Sequence, residues 1–195
     1  MTEIKCYEEM KRIRGEDKYP DKETEEHLLE KIFPKSTEEL ALRLSNVTAA
    51  FYGFTLKYIG EQCGWDKVDP ISRSLFRELG RLKTIEAQEM EVDIPGDTRA
   101  LAIVLISAIY TSSPEYNFET LKYTPEETVM RIFGSCRYFR IAKKLKIETY
   151  LSWPTLIPFF EGIAQQVDIE CEVKMEIRNL ENDGRCDYLA RFILI

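Results

Sequence analysis

Cys136 is the side chain best placed in this sequence to act as a nucleophile. It lies where a strand-like segment, VMRIFGS, is followed by helical periodicity, and Arg131, Arg137 and Arg140 are close to it along the chain. The N-terminus of a helix and neighbouring cations both stabilise a thiolate. The pattern therefore predicts a lowered thiol pKa and a good nucleophile or metal ligand. The alternative is a buried capping residue in a tight turn.

Carboxylates are the candidate partners of Cys136 in proton transfer. The one histidine of the chain, His27, lies in the charged N-terminal segment, far from Cys136 in sequence. A catalytic Cys-His pair would need that segment to fold back over the rest of the chain. Glu161 lies within the apolar segment PFFEGI and could reach into a pocket, and Asp187 is a second candidate for moving protons. The alternative for Glu161 is a surface position.

The cysteines do not indicate a disulfide framework or a zinc site. Their number is odd and no two have CxxC spacing, which predicts reduced thiols. We expect Cys171 and Cys186 on paired strands, roughly 20 Å apart and too far to share a bond or a metal. Both face apolar neighbours, where a cysteine is a small core hydrophobe. The cysteines are Cys6, Cys63, Cys136, Cys171 and Cys186.

Aromatic residues cluster around two segments with helical periodicity that should lie over a sheet. Aromatic walls with a few polar groups are typical of small-molecule pockets, and Arg137 and Arg140 would supply charge. The alternative is an ordinary core. The aromatic residues are Tyr138, Phe139, Trp153, Phe159 and Phe160.

Helix signals dominate the first part of the chain. We expect one α+β domain over 1–195, made of a charged arm (1–35), a helical part (36–112) and an α/β part (113–195). A capping box at Ser36 predicts a helix that ends near Cys63, with an apolar stripe that should pack against the core. Asp69 and Asp97 are predicted to cap the next two helices, and the second of these is apolar on every side. The stripe is Leu40, Leu44, Val47, Phe51, Phe54 and Tyr58.

The last part of the chain alternates between strand and helix patterns. Segments 118–123 and 127–134 predict a hairpin, and 171–177 with 186–194 predict a second hairpin that ends the chain. Helical periodicity over 135–146 and 154–167 lies between them. The sequence therefore predicts an N-terminal helical bundle packed with a helix-flanked antiparallel sheet of about four strands.

The charge of the chain limits its partners. A net charge of -7 argues against nucleic-acid binding, which needs a surplus of lysine and arginine on one face. The longest apolar stretch, 100–110, is about half the length of a membrane span, and no apolar run of signal-peptide length begins the chain. We expect a cytoplasmic protein with no membrane partner. The heptad-like spacing of the 36–63 helix suggests that a homodimer could form through it.

Three segments of the C-terminal part resemble a known family. SCRYFRIAKKLKI, PTLIPFFEGIA and DGRCDYLARF follow one another in the order found in the L-2-amino-thiazoline-4-carboxylic acid hydrolase-like family. The chain is also similar, more distantly, to the vinyl-reductase type of small-molecule-binding domain. The likeness covers roughly residues 115–195. It implies a helix-flanked antiparallel sheet with a pocket.

The resemblance also implies roles for two cysteines. Cys136 and Cys186 stand at matching positions and, if the sheet brings them together, they could hold a metal or act as a redox pair. Two functions follow as expectations. One is a sensor-like protein that binds a small molecule between the sheet and the aromatic helices. The other is a hydrolase of a cyclic amidine or thiazoline-type carbon-nitrogen bond, with Cys136 as nucleophile and Arg137 or Arg140 holding a substrate carboxylate. These motifs specify no cofactor.

Overall fold

The structure is a computed structural model that describes residues 5–195. Helices dominate the first part and an antiparallel sheet the last, so the predicted α+β class is confirmed. The helices are α1 (Lys5–Arg14), α2 (Lys22–Lys31), α3 (Thr37–Cys63), α4 (Val68–Glu89), α5 (Arg99–Ser112), α6 (Arg137–Leu145) and α7 (Leu156–Gln166). The strands are β1 (Tyr116–Tyr123), β2 (Glu127–Ser135), β3 (Cys171–Leu180) and β4 (Arg185–Leu194).

The chain forms two compact units whose boundary lies within α3. One contains the residues up to Val47 and the other contains Thr48–Ile195. The predicted charged arm contains two helices, α1 and α2. That the whole chain is one domain stays a prediction.

Local hydrogen bonds set the helix starts of the N-terminal unit. The Asp21 side chain accepts from the backbone N–H of Thr24 at 2.7 Å and so caps α2. The Ser36 hydroxyl accepts from the N–H of Glu39 at 3.1 Å, which confirms the predicted start of α3. The Glu39 carboxylate accepts from the N–H of Lys35, one residue before the position that a capping box would use.

The predicted apolar stripe of α3 does not pack. In the larger unit Phe51, Phe54 and Tyr58 are 73%, 46% and 58% exposed, and in the N-terminal unit Leu44 and Val47 are also exposed. The prediction that this stripe meets the core is therefore wrong.

A different face of α3, rich in small residues, packs in the larger unit. Ala49 and Leu56 are buried on it. A Cβ atom added at Gly53 would lie 2.7 Å from the Ile141 side chain, and one added at Gly60 would lie 2.3 Å from the Trp65 ring. Close approach through glycine therefore decides which face of the helix docks.

The sheet has the order β1-β2-β4-β3 and every neighbouring pair is antiparallel. Both predicted hairpins are confirmed. Cys171 pairs with Leu194 and Cys186 with Leu180, so these two cysteines lie at opposite ends of the β3–β4 pair, as expected. Strands β1 and β3 are the two edges of the sheet.

One face of the sheet carries the core of the larger unit. Its side chains alternate with polar residues that point to the opposite face. Burying a side chain as large as methionine, isoleucine or phenylalanine contributes roughly 1.5–3 kcal/mol to stability. Helices α5 and α7 contact the sheet, and α5 is largely buried, as its uniform apolarity predicts. The fully buried residues of this face include Met130, Ile132, Tyr188, Ala190 and Phe192.

Helices α4 and α7 meet through their backbones. A Cβ atom added at Gly80 would lie 2.0 Å from the Phe159 carbonyl oxygen, and one added at Gly162 would lie 2.0 Å from the Arg77 carbonyl oxygen. No side chain fits at either distance, so both positions need glycine.

Two predicted helix caps differ in detail. Helix α4 begins at Val68, and Asp69, inside its first turn, accepts from the backbone N–H of Ser152 at 2.6 Å. Asp69 therefore ties α4 to a distant loop and does not cap the helix. Asp97 lies two residues before α5 and accepts from the N–H of Arg99 at 3.0 Å. Over residues 5–195, no helix combines the length and apolarity that crossing a membrane requires.

Candidate functional site

Cys136 occupies the N-cap position of α6. Its sulfur accepts from the backbone N–H of Phe139 at 3.4 Å, and its own N–H donates to the Gly184 carbonyl at 2.7 Å. The helix start predicted from the sequence is confirmed. The residue is only 2% exposed, which matches the alternative of a buried capping cysteine.

The pKa of the Cys136 thiol moves in the direction opposite to the prediction. Burial raises this pKa, and hydrogen bonding from the Tyr116 hydroxyl and the Phe139 N–H lowers it only in part. The prediction of a lowered pKa is wrong because desolvation outweighs the helix N-terminus. The thiol is therefore protonated at neutral pH.

Cys136 belongs to a buried group of two thiols and two phenols, called here the thiol–phenol cluster: Cys136, Cys186, Tyr116 and Tyr188. Cys186 pairs with Gly134 in the sheet, and burial together with the Cys136 thiol raises its pKa to about 12. The fold thus brings Cys136 and Cys186 into one cluster, and both are free thiols.

The Tyr188 hydroxyl is the least satisfied member of the cluster. The side chain is fully buried, yet the hydroxyl has no hydrogen bond of good geometry within residues 5–195. Burial, together with the two neighbouring thiols, raises the pKa of Tyr188 far above its usual value. Such an orphan hydroxyl in a core calls for an explanation.

Arg137 is buried beside this cluster and its charge is already compensated. It pairs with Glu115, and the two side chains are only 4% and 7% exposed. A second guanidinium nitrogen donates to the Tyr138 hydroxyl at 2.9 Å, while Nε has no partner in the described chain. Arg137 is thus placed to hold Tyr138 and is not free to receive a substrate carboxylate.

A small cavity lies next to these residues, between four helices and β1. Its volume is about 30 Å³. Its wall is mostly apolar, with a few hydroxyl groups and one ammonium group. The lining residues are Phe76, Leu79, Lys83, Leu105, Ala108, Ile109, Ser112, Ser113, Tyr116, Tyr138, Leu156 and Phe159.

Two of the predicted ligand-binding residues, Tyr138 and Phe159, line this cavity, and the others do not. Phe160 packs on Phe192 with ring centroids 4.6 Å apart. Trp153 donates its indole N–H to a backbone carbonyl and packs edge-on against Phe139. Arg140 is exposed at the start of α6 and hydrogen-bonds Ser135.

Sequence reasoning missed the α4 and α5 walls of the cavity. Leu79 and Lys83 come from α4, and Ala108 and Ile109 from α5. Lys83 carried no sequence signal, because a lysine on a helix is usually exposed. Its side chain is 11% exposed and lies 2.6 Å from Glu86.

The two predicted proton-transfer carboxylates lie away from the cavity. Glu161 bridges α7 to α4 through Arg73 at 3.2 Å and Arg77 at 2.5 Å. Asp187 points to the other face of the sheet, where the Arg131 guanidinium lies 2.8 Å away and lowers the pKa of the carboxyl. Neither carboxylate lines the cavity, and Cys136 does not line it either.

The described residues contain no group of three or more histidine, cysteine, aspartate or glutamate side chains that could hold a metal ion. His27 is exposed on α2 in the N-terminal unit. Comparison with protein families, with curated proteins and with solved structures finds no match to this chain.

Proposed function

We propose that the protein binds a small, largely apolar molecule in the cavity between α4, α5, α6, α7 and β1. The observation that carries this proposal is the composition of the wall. Apolar side chains such as Leu105 and Phe159 surround a few polar groups, which is the usual make-up of a small-molecule site.

The polar groups indicate the chemistry of the ligand. The Tyr138 hydroxyl is held by Arg137, and Tyr116 connects the cavity to the thiol–phenol cluster. Fixed hydroxyl groups on one wall suit a ligand with an apolar body and one hydrogen-bonding group, such as a phenol or an indole.

The size of the cavity limits the ligand and requires movement. A volume of about 30 Å³ holds little more than a water molecule, whereas metabolite sites usually have several hundred Å³. A ligand therefore enters by displacing side chains. Lys83 and Leu79 on α4 are suited to move, because both are only partly buried.

The hydrolase alternative has weaker support. A nucleophilic cysteine needs a thiolate, and burial raises the pKa of Cys136. Arg137 is neutralised by Glu115, and Glu161 is already bound by two arginines. No observation favours hydrolysis over binding.

Methyl NMR with small probes tests the proposal. Benzene, phenol and indole should shift the methyl signals of Leu79, Leu105 and Ile109 in a saturable way. The variant Ala108→Val fills the cavity and should abolish these shifts. Ala164→Val is a matched control, because Ala164 is about as buried but lies outside the cavity.

Two results would count against the proposal. One is the absence of saturable shifts with all three probes. The other is binding that survives in Ala108→Val, because the probe would then occupy another site.

A further inference from the structure

Strand β3 has a free edge. It pairs with β4 on one side only, because the strand order is β1-β2-β4-β3. The Glu170 carbonyl accepts from the N–H of Ile195, so the even-numbered residues of this strand direct their backbone groups towards β4. The N–H and C=O groups of Val173, Met175 and Ile177 consequently point out of the sheet.

The exposed side chains of β3 alternate in charge. Glu172, Lys174, Glu176 and Arg178 follow one another at every second position and all are exposed. Read backwards, the order acid, base, acid, base becomes base, acid, base, acid. The strand is therefore complementary in charge to an antiparallel copy of itself.

We propose that a second copy of this chain docks antiparallel on the β3 edge, about a two-fold axis at Met175, so that two four-stranded sheets become one. In this register Lys174 lies opposite Glu176 of the second copy, and Glu172 faces the irregular segment that contains Arg178. A two-fold interface repeats each contact, so the Lys174–Glu176 pair forms twice. Opposite charges directly across a strand pair stabilise it.

The apolar side chains obey the same register. Val173 lies opposite Ile177 of the second copy, and Met175 lies opposite itself. Ile177 is 42% exposed in the single chain, so pairing removes apolar surface from water.

The backbone geometry supports this pairing. The outward N–H and C=O groups at Val173, Met175 and Ile177 give about six hydrogen bonds between the copies. Lys174 and Glu176 then occupy non-hydrogen-bonded pairs, in which side chains approach most closely. A register shift between Ile177 and Asn179 ends the regular edge, so pairing is confined to this short segment.

Lys174 has no carboxylate opposite it within its own sheet. Its neighbour across β4 is Arg191, a residue of the same charge. Its acidic contact is Glu172 on its own strand, at 2.7 Å. The second copy supplies the opposing carboxylate of Glu176, which explains a lysine at this position.

An open groove runs beside the same edge. Its volume is about 390 Å³, and Val173 forms part of its wall together with residues of α7. Because Val173 faces Ile177 of the second copy, the incoming strand places an apolar side chain at the mouth of the groove. The strand pair therefore also covers the part of the groove wall that Val173 forms.

A charge swap tests the proposal by sedimentation velocity from about 1 to about 200 µM, a range that detects weak interfaces. The wild-type chain should dimerise with increasing concentration. Lys174→Glu and Glu176→Lys each place like charges across the axis, twice per dimer, and each should weaken association at least about tenfold. The double variant restores opposite charges and should return association to within about threefold of wild type.

Loss of folding cannot mimic this pattern. Lys174→Glu places a carboxylate opposite Arg191 within the same sheet, which favours the folded chain. Lys144→Glu is the matched control, because Lys144 is exposed on α6 and the net charge changes equally. Circular dichroism of all variants should be that of wild type.

Three outcomes overturn the proposal. The first is a wild-type chain that stays monomeric at about 200 µM. The second is a dimer that neither charge variant weakens. The third is a dimer that Phe51→Ser dissociates while Lys174→Glu does not, which would assign the interface to the exposed stripe of α3.

Discussion

The two faces of the sheet each have an arginine paired with a carboxylate, but in different surroundings. Arg137 and Glu115 are buried beside the thiol–phenol cluster, whereas Arg131 and Asp187 lie among half-exposed charges on the other face. A buried pair has lost the solvation of both ions, so each partner depends on the other. An exposed pair keeps water as a substitute. The same chemistry is therefore structural on one face and dispensable on the other.

The largest expected effect comes from breaking the buried pair. Glu115→Gln leaves the Arg137 charge buried without compensation and should lower the free energy of unfolding by about 3–5 kcal/mol. Urea unfolding with an unchanged slope measures this loss. Asp187→Asn on the other face should give an almost unchanged midpoint.

A double variant tests whether the loss comes from the uncompensated charge of Arg137. Replacing both partners, as in Glu115→Leu with Arg137→Met, removes both charges and should destabilise less than Glu115→Gln alone. A double variant that is less stable than Glu115→Gln would contradict this account.

The close contact between helices α4 and α7 should give the next largest effect on stability. Gly162→Ala places a Cβ atom 2.0 Å from the Arg77 carbonyl and should destabilise by about 1–3 kcal/mol. Gly96→Ala is the matched control, because a Cβ atom there meets nothing within 4 Å. Thermal unfolding compares the two variants. Equal melting temperatures of the two variants would mean that α4 and α7 can move apart without loss of stability.

The two buried thiols of the thiol–phenol cluster should make the folded protein less stable at alkaline pH. The raised pKa values of Cys136 and Cys186 mean that the folded chain holds thiol protons that the unfolded chain releases. Stability should be fully present below about pH 8.5 and fall as pH rises above it, by at most about 1.4 kcal/mol per pH unit for each thiol. Urea midpoints measured from neutral to alkaline pH test this. Cys186→Ala should flatten the decline, and an identical decline in that variant would refute the assignment.

The Arg131–Asp187 pair on the solvent-exposed face of the sheet should give the smallest effect on stability, and it should appear at acidic pH. Arg131 lowers the pKa of Asp187, so this pair contributes stability above about pH 4 and loses it as pH falls below that value. The effect is small because both groups contact solvent. Asp187→Asn should slightly reduce the acid-induced drop in the urea midpoint. A larger drop in the variant than in wild type would contradict the sign.

Local sequence patterns predicted most of the strands and helix starts. Strict alternation over 171–177 and 186–194 predicted β3, β4 and the buried face of each, since the side-chain period of a strand ties sequence directly to one face. The Ser36 cap and the start of α6 at Cys136 were also predicted, because caps depend on neighbouring residues only.

The wrong predictions concern features that depend on residues distant in the sequence. The apolar stripe of α3 was expected to pack, but periodicity reveals a stripe without revealing which face docks, and Gly53 and Gly60 permit closer contact on the other face. The pKa of Cys136 was predicted from its helix, whereas its burial under other elements determines the direction. The α4 wall of the cavity was missed for the same reason, since α4 packs on α7, which lies far from it in the sequence.

The reciprocal contact of Gly80 and Gly162 has a consequence for how the sequence can drift. Each glycine faces a backbone carbonyl of the other helix, at Phe159 and at Arg77. A larger side chain in a core is often rescued by a smaller one opposite, but a carbonyl oxygen cannot be made smaller by any substitution. A search for second-site suppressors of Gly162→Ala should therefore recover none at the facing residues, and the two positions are fixed independently of each other.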